Sequence, residues 1–277
     1  MASSLKIVAT PLGNIRDITL RAMDEIKKAD VIFAEDTRHS LQLINALGLS
    51  LKPSCRLISC NSHTEQQRID VAAQRLLAND QVLFLSDAGC PTISDPGSFL
   101  VQGVVEQGFS VEIIPGPSAH SAALMGAGID TTRFAFLGFL PQRKTARSKL
   151  IKACAEAGLA MIFYESPRRV KALLAELHEL LGERRVVVAR ELTKIHETFH
   201  RGSLGHSLNP EVFDKGECVV VVEAFKTAHE VDEESLTQFI KDELKNMSAK
   251  DVASLVATTF NIKPNLAKKH VLAEVNN

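Results

Sequence analysis

Residues 86–97, Ser-Asp-Ala-Gly-Cys-Pro-Thr-Ile-Ser-Asp-Pro-Gly, follow the apolar run 81–85 and precede a helix-like segment at 98–107. A strand, a rigid polar loop and a helix in that order constrain the fold more than any other stretch. In an open parallel sheet, ligands sit beyond the carboxyl ends of the strands, where loops and helix N-termini converge with exposed backbone N–H groups. The composition suits such a place: Gly89 permits close backbone approach, Pro91 and Pro96 stiffen the loop, and Asp87 and Asp95 offer carboxylates to a hydroxyl-bearing or amine-bearing ligand. A plainer reading stays open, in which Ser94 and Asp95 only cap the next helix.

One strand-helix unit later the run 111–114 leads into Pro115-Gly116-Pro117-Ser118-Ala119 and a small-residue helix at 120–127. Two prolines around a glycine fix the backbone so that Ser118 and the first helical N–H groups are presented rather than buried. Loops of this kind at successive strand ends suggest one shared site.

The rest of the first half repeats the alternation. A strand at 5–9 ends in Thr10-Pro11-Leu12-Gly13-Asn14, and an amphipathic helix at 18–28 takes Asp17 as its cap. A strand at 31–34 delivers Glu35-Asp36-Thr37-Arg38-His39, followed by a helix to 47 that Gly48 stops. A strand at 56–60 leads through Asn61-Ser62-His63-Thr64 to a helix at 65–77. Strands alternating with helices indicate right-handed crossovers and a mostly parallel sheet, so residues 1–127 read as an α/β domain.

A second series, 128–226, opens with a strand at 134–140 and a helix at 146–156. A strand at 160–164 ends at Glu165-Ser166-Pro167-Arg168-Arg169, before a helix at 170–181 stopped by Gly182. Strands at 185–190, 198–202 and 217–225 then follow closely, which predicts a mixed sheet with antiparallel neighbours. Residues 227–234 read as a polar linker. Three short helices at 235–245, 250–260 and 265–273 then form a C-terminal domain, 235–277, with Ser248 capping the second. The turn through Pro264 resembles helix-turn-helix architecture, and a small bundle packed on the body fits equally well.

Composition excludes little but sets limits. A net charge of −1 gives no global attraction to nucleic acid, so RNA contacts need local basic patches. Five scattered cysteines without CxxC pairing argue against a disulfide framework or a zinc site. No apolar run suggests a signal peptide or a membrane span, so the expected location is the cytoplasm. GxxxxGK[ST] is lacking, as is GxGxxG after the first strand, which disfavours a P-loop nucleotidase or a dinucleotide fingerprint.

The motifs SDAGCPTISDPG and IPGPSA, with TPLGN at 10–14 and AEDTR at 34–38, resemble the tetrapyrrole methylase superfamily. Within it the match is to the bacterial 16S ribosomal RNA cytidine 2′-O-ribose methyltransferases, and it runs from about residue 5 to 225. The resemblance implies two α/β domains with a cofactor cleft between them, plus a small helical C-terminal domain. It implies S-adenosylmethionine as methyl donor without a metal, a decoding-centre cytidine (cytidine 1402) of small-subunit ribosomal RNA as acceptor, and a homodimer. Carried over by motif, Leu12, Asp87, Ile93, Ser118 and Ala119 touch the cofactor, with Gly89 and Gly116 allowing close approach and Phe163 and Ala189 contributed by the second domain. Beyond Asp87 the alignment with the family's shorter Gly-Asp-Pro form of this loop is open.

A ribose hydroxyl is a weak acid, so transfer to it calls for a proton acceptor. Glu165, Glu191 and Lys194, just after second-domain strands, are candidates, and so are His63 and His196; surface ion pairs or structural histidines are the alternatives. For RNA phosphates the candidates are Arg38, His63, Arg143, Lys144, Arg168, Arg169 and Arg190, with Lys194 beside them, whereas Arg147, Lys149 and Lys152 read as a solvated helix face. One tyrosine and no tryptophan leave little for base stacking, which favours recognition of folded RNA. Two rivals remain: a methyltransferase of the same fold acting on a corrin precursor or other small molecule, and a non-enzymatic RNA or ribosome-assembly factor that holds S-adenosylmethionine only as a ligand.

Overall fold

The computed structural model describes residues 4–206, 208, 215–224 and 232–275. The chain divides into two compact units, one of Met1–Ala122 with Glu191–Glu197 and one of Ala123–Arg190 with Thr198–Asn277.

In the first unit, β1 (Ser4–Val8), β2 (Val31–Ala34), β3 (Arg56–Ser59), β4 (Val82–Leu85) and β5 (Ser110–Ile114) form a parallel sheet in the order β3-β2-β4-β1-β5. The connecting helices are α1 (Leu20–Lys28), α2 (Thr37–Ala46), α3 (Glu65–Leu77) and α4 (Ser98–Glu106); α5 (Ala119–Ala127) follows β5. Alternate strand residues feed two cores. Leu5, Phe33, Val82 and Phe84 pack with Leu76, Leu100 and Val104, while Val8, Ile32, Leu83 and Leu85 pack with Ala22, Ile26 and Ile44. Both faces are covered, which is why β2 and β4 are uninterrupted apolar runs. Each fully buried Leu, Ile or Phe contributes roughly 1.5–3 kcal/mol.

Helix starts depart from the expected caps. Residues Ile15–Asp17 form a separate 3-10 turn and Ile18 is extended, so Asp17 cannot cap; α1 starts at Leu20, where Thr19 Oγ1 accepts the Ala22 N–H at 3.1 Å. For α4 the cap position is Gly97, at φ +116°, and not Ser94 or Asp95. The Glu65 carboxylate, 4% exposed, accepts the N–H groups of Gly97 at 2.9 Å and Phe99 at 3.1 Å. A buried anion at a helix N-terminus satisfies two otherwise partnerless donors.

In the second unit, β6 (Phe134–Phe139), β7 (Ala160–Glu165), β8 (Arg185–Arg190), β9 (Thr198–Ser203) and β10 (Cys218–Val222) are ordered β6-β7-β10-β8-β9. Among the described residues, β6–β7 is the one parallel pairing, so the sheet is mixed, as the close strand spacing predicts. Met161, Phe163, Val186, Val188 and Val220 pack against Ile151 of α6 (Lys144–Glu156) and Val170, Leu173 and Leu177 of α7 (Pro167–Leu181). Helix α7 starts three residues earlier than periodicity suggests, because Pro167 at its first position is preset for helix.

Helices α8 (Glu233–Glu243), α9 (Ala249–Thr259) and α10 (Pro264–Val275) enclose Leu236, Ile240, Val252, Val256, Ile262, Ala267 and Val271. Ser248 caps α9, accepting the Asp251 N–H at 3.3 Å. Asn261, at φ +51°, donates to Glu223 Oε2 at 2.8 Å and to the Ala224 carbonyl at 2.9 Å, tying the α9–α10 turn to the end of β10. Residue 225 of the expected last strand and 227–231 of the expected linker lie outside the described residues. Among those described, no helix is long and apolar enough to cross a membrane.

Candidate functional site

Three loops leave the carboxyl ends of the adjacent strands β4, β1 and β5, and they are stitched together. Thr10 exchanges both backbone hydrogen bonds with Gly89, at 2.8 and 3.0 Å, and its buried hydroxyl donates to the Ser86 carbonyl at 3.2 Å. Ala9 N–H donates to the Ile114 carbonyl, and the Cys90 thiol to the Pro117 carbonyl at 3.3 Å. The two loop glycines are explained by this packing. A Cβ on Gly116 would stand 3.0 Å from Ala9 Cβ, and one on Gly89, at φ +76°, 3.1 Å from Leu12 Cδ2. They bring the loops onto one another, where the sequence reading has them admitting a ligand.

On this platform Asp87 follows β4 and is one-third exposed, with Oδ1 accepting the Asp36 N–H at 3.1 Å and Oδ2 3.7 Å from His39 Nδ1. Beside it, burial and then the Asp87 charge push the Glu35 carboxyl above its ordinary range. Ser118, just before α5, shares a hydrogen bond of 2.9 Å with His120 Nδ1, and burial lowers the His120 pKa. The first turn of α5 presents backbone N–H groups without intrahelical partners. Ile93, 39% exposed, is flanked by Thr92 at φ +71° and Ser94 at φ +64°, left-handed positions that non-glycine residues occupy only at a cost.

Segment Glu191–Glu197, which joins β8 to β9, belongs to the first unit and lies on the β1 loop. Thr193 Oγ1 accepts the Asn14 N–H at 3.1 Å, and the Lys194 stem covers Gly13, so that a Cβ there would stand 2.2 Å from Lys194 Cγ. Lys194 Nζ meets Glu191 Oε1 at 3.0 Å. Two of the three candidate proton acceptors thus pair with one another, with Lys194 against Gly13. Ile195 and His196 are exposed on the same segment.

Glu165, Phe163 and Ala189 belong to the second unit. Glu165, the last residue of β7, accepts from Ser166 N–H at 2.7 Å and Arg169 Nε at 2.6 Å, so its carboxylate is engaged with the start of α7. Phe163 lies inside β7 and not at its end, with a fully buried side chain, and Ala189 is fully buried in β8.

Arg38 folds back on Asp36, Lys144 pairs with Glu179 and Arg190 donates to the Lys215 carbonyl; Arg143 and Arg168 are exposed. His63 is exposed in the loop after β3. Arg147, expected on a solvated face, is held by Glu176 at 2.8 Å and by two loop carbonyls. Glu35 and Thr193 went unremarked as site residues. A charged group closing a strand was the available signal for Glu35, and nothing local marks Thr193.

Residues 4–207 match the family described as Tetrapyrrole (Corrin/Porphyrin) Methylases. A protein of Neisseria meningitidis called Ribosomal RNA small subunit methyltransferase I is 39% identical over 262 residues, covering 93% of this chain and 89% of its own length. One of the same description from Escherichia coli is 38% identical, covering 98% of this chain and 95% of its own. Solved structures agree in fold: diphthine synthase matches with a TM-score of 0.63 at 17% identity over 82% of this chain and 92% of its own, and the methyltransferase CobJ with 0.60 at 18% over 80% and 94%. On these matches and the latched loops after β4, β1 and β5, the chain belongs to the tetrapyrrole methylase family, in its ribosomal RNA small subunit methyltransferase I group.

Proposed function

We propose that this protein transfers a methyl group from S-adenosylmethionine to the ribose 2′-hydroxyl of a decoding-centre cytidine, position 1402, in 16S ribosomal RNA of the small subunit. The observation that carries the reading is the latched platform, with Asp87 and Ser118 on the two loops that flank the β1 loop, in a chain 38–39% identical to proteins called Ribosomal RNA small subunit methyltransferase I. The residues present fit the cofactor. Asp87 can accept from an ammonium or ribose hydroxyls, and Ser118 with the first N–H groups of α5 can receive a carboxylate or polar ring edge. Leu12, Ile93 and Ala119 supply apolar contact.

S-adenosylmethionine supplies an electrophilic methyl group on a sulfonium. Transfer of that methyl group to the ribose oxygen would require a nearby base to take up the hydroxyl proton. Glu191 can take that proton, and Lys194 can meet the charge developing on the oxygen. Alignment of oxygen, methyl and sulfur supplies most of the acceleration, which is why a stiff platform matters. Exposed Arg143 and Arg168 suit RNA phosphates, and the resemblance adds a homodimer, which sizing of the purified protein decides.

The test is transfer of labelled methyl from S-adenosylmethionine to small ribosomal subunits lacking the modification, with the product nucleoside identified. The expected product is 2′-O-methylcytidine. Methylation of a corrin-type small molecule, or cofactor binding without transfer, would favour one of the rivals.

A further inference from the structure

Thr193 is a β-branched residue at φ +64° and Glu191 stands at φ +52°, in a segment where glycine would be free of strain. Left-handed side chains persist where surrounding contacts hold them, and here the contacts all serve one end. Thr193 N–H donates to Glu197 Oε2 at 2.6 Å, while Lys194 N–H and Glu197 N–H close consecutive turns on the carbonyls of Glu191 and Lys194, each at 3.0 Å. The turn so formed aims Thr193 Oγ1 at the Asn14 N–H and lays Lys194 across Gly13, with Cδ and Cε 3.2 and 3.1 Å from where a Cβ would stand. Gly13 carries no positive φ, so conformation does not demand glycine; the lysine stem does. Leu12, the neighbour of Gly13, lies where a side chain on Gly89 would meet it, and the Thr10–Gly89 bridge holds that pair of loops independently of the latch.

We propose that Thr193 is a positioning residue for methyl transfer: with Gly13 it latches segment Glu191–Glu197 to the β1 loop and so sets the place of the Glu191–Lys194 pair beside the cofactor-binding loops. This rests on the functional reading above and extends it to a residue that touches neither cofactor nor acceptor. The hydroxyl is needed as an acceptor and the glycine for its empty space. Loss of either lets the ion pair drift while the cofactor loops, held by the Thr10–Gly89 bridge, keep their shape.

The experiment compares wild type with Thr193→Val, Thr193→Ser and Gly13→Ala in three readouts: thermal midpoint, affinity for S-adenosylhomocysteine, and single-turnover transfer to unmodified small subunits. Thr193→Val removes the acceptor at constant shape and is expected to slow transfer by about tenfold, since sub-ångström drift of a reacting group is that costly. Thr193→Ser is expected to restore transfer to within about twofold, and Gly13→Ala to slow it as Thr193→Val does, with affinity within about twofold of wild type throughout. The Asn14 bond is exposed, so midpoints are expected to stay within about 2 °C.

Transfer by Thr193→Val or Gly13→Ala at the wild-type rate overturns the latch. So does a loss that serine fails to restore, or one that falls in step with midpoint and affinity, since that marks a merely structural threonine. A wild-type protein that methylates nothing overturns the functional reading and the latch with it, whereas the other failures leave that reading standing.

Discussion

Replacing Asp87 by alanine separates a binding carboxylate from a structural one. In this protein Oδ1 is committed to the Asp36 N–H at 3.1 Å, which leaves Oδ2, on a side chain 34% exposed, as the oxygen for a ligand. One charge-assisted hydrogen bond from an ammonium or a pair of ribose hydroxyls is worth about 1.5–3 kcal/mol. At about 1.4 kcal/mol per decade, the dissociation constant for S-adenosylmethionine should rise roughly 10- to 150-fold. The fold loses the Asp36 hydrogen bond but sheds the negative charge that crowds Glu35, and these oppose one another. The thermal midpoint should therefore stay within about 3 °C. Titration calorimetry with S-adenosylmethionine reads the first quantity and scanning calorimetry the second. Unchanged affinity in a folded variant would remove Asp87 from the site, and collapse of both together would make it a structural carboxylate.

Other consequences follow from neighbouring residues. Because Glu35 has its folded pKa raised above 4.5, the native state binds more protons than the unfolded chain between that value and the folded one. Stability contributed there is lost as pH rises through the window, so Glu35→Gln should melt above wild type at neutral pH, with the gap closing near about pH 4 in a melting series. Glu65→Ala strips one buried and one partly buried N–H group of their acceptor and should cost about 1–3 kcal/mol in denaturant unfolding, with Glu65→Gln recovering part of it. Arg168→Glu should leave cofactor affinity unchanged and lower RNA methylation severalfold. Arg169 is the wrong partner for that test, because its guanidinium is already held by Glu165.

The parallel sheet and its loops could be read from sequence because their determinants are local. Four-residue apolar runs such as 82–85, followed by Gly, Pro and Asp, announce a strand and the loop it carries. What escaped was set by distant partners. The acceptor for the first N–H groups of α4 is a glutamate 32 positions before Gly97, which the plainer reading of Ser94 and Asp95 as caps could not anticipate. The Asn14–Thr193 bond spans 179 positions, and no periodicity hints that the turn after β8 folds back on the first strand's loop. Phe163 and Ala189 were placed by motif position, and the register of the second sheet puts both side chains inside it. Gly89 and Gly116 were marked as positions where a ligand approaches closely, and in the fold the close neighbours are Leu12 and Ala9 of the β1 loop.

The central claim is the reaction itself, and the most direct measurement is labelled-methyl transfer to small ribosomal subunits lacking the modification, followed by identification of the methylated nucleoside. The account predicts a single 2′-O-methylcytidine, formed by the wild-type protein and lost with Asp87→Ala at limiting S-adenosylmethionine. A methyl group on a base, on another nucleotide, or on no RNA at all while the cofactor binds would contradict it.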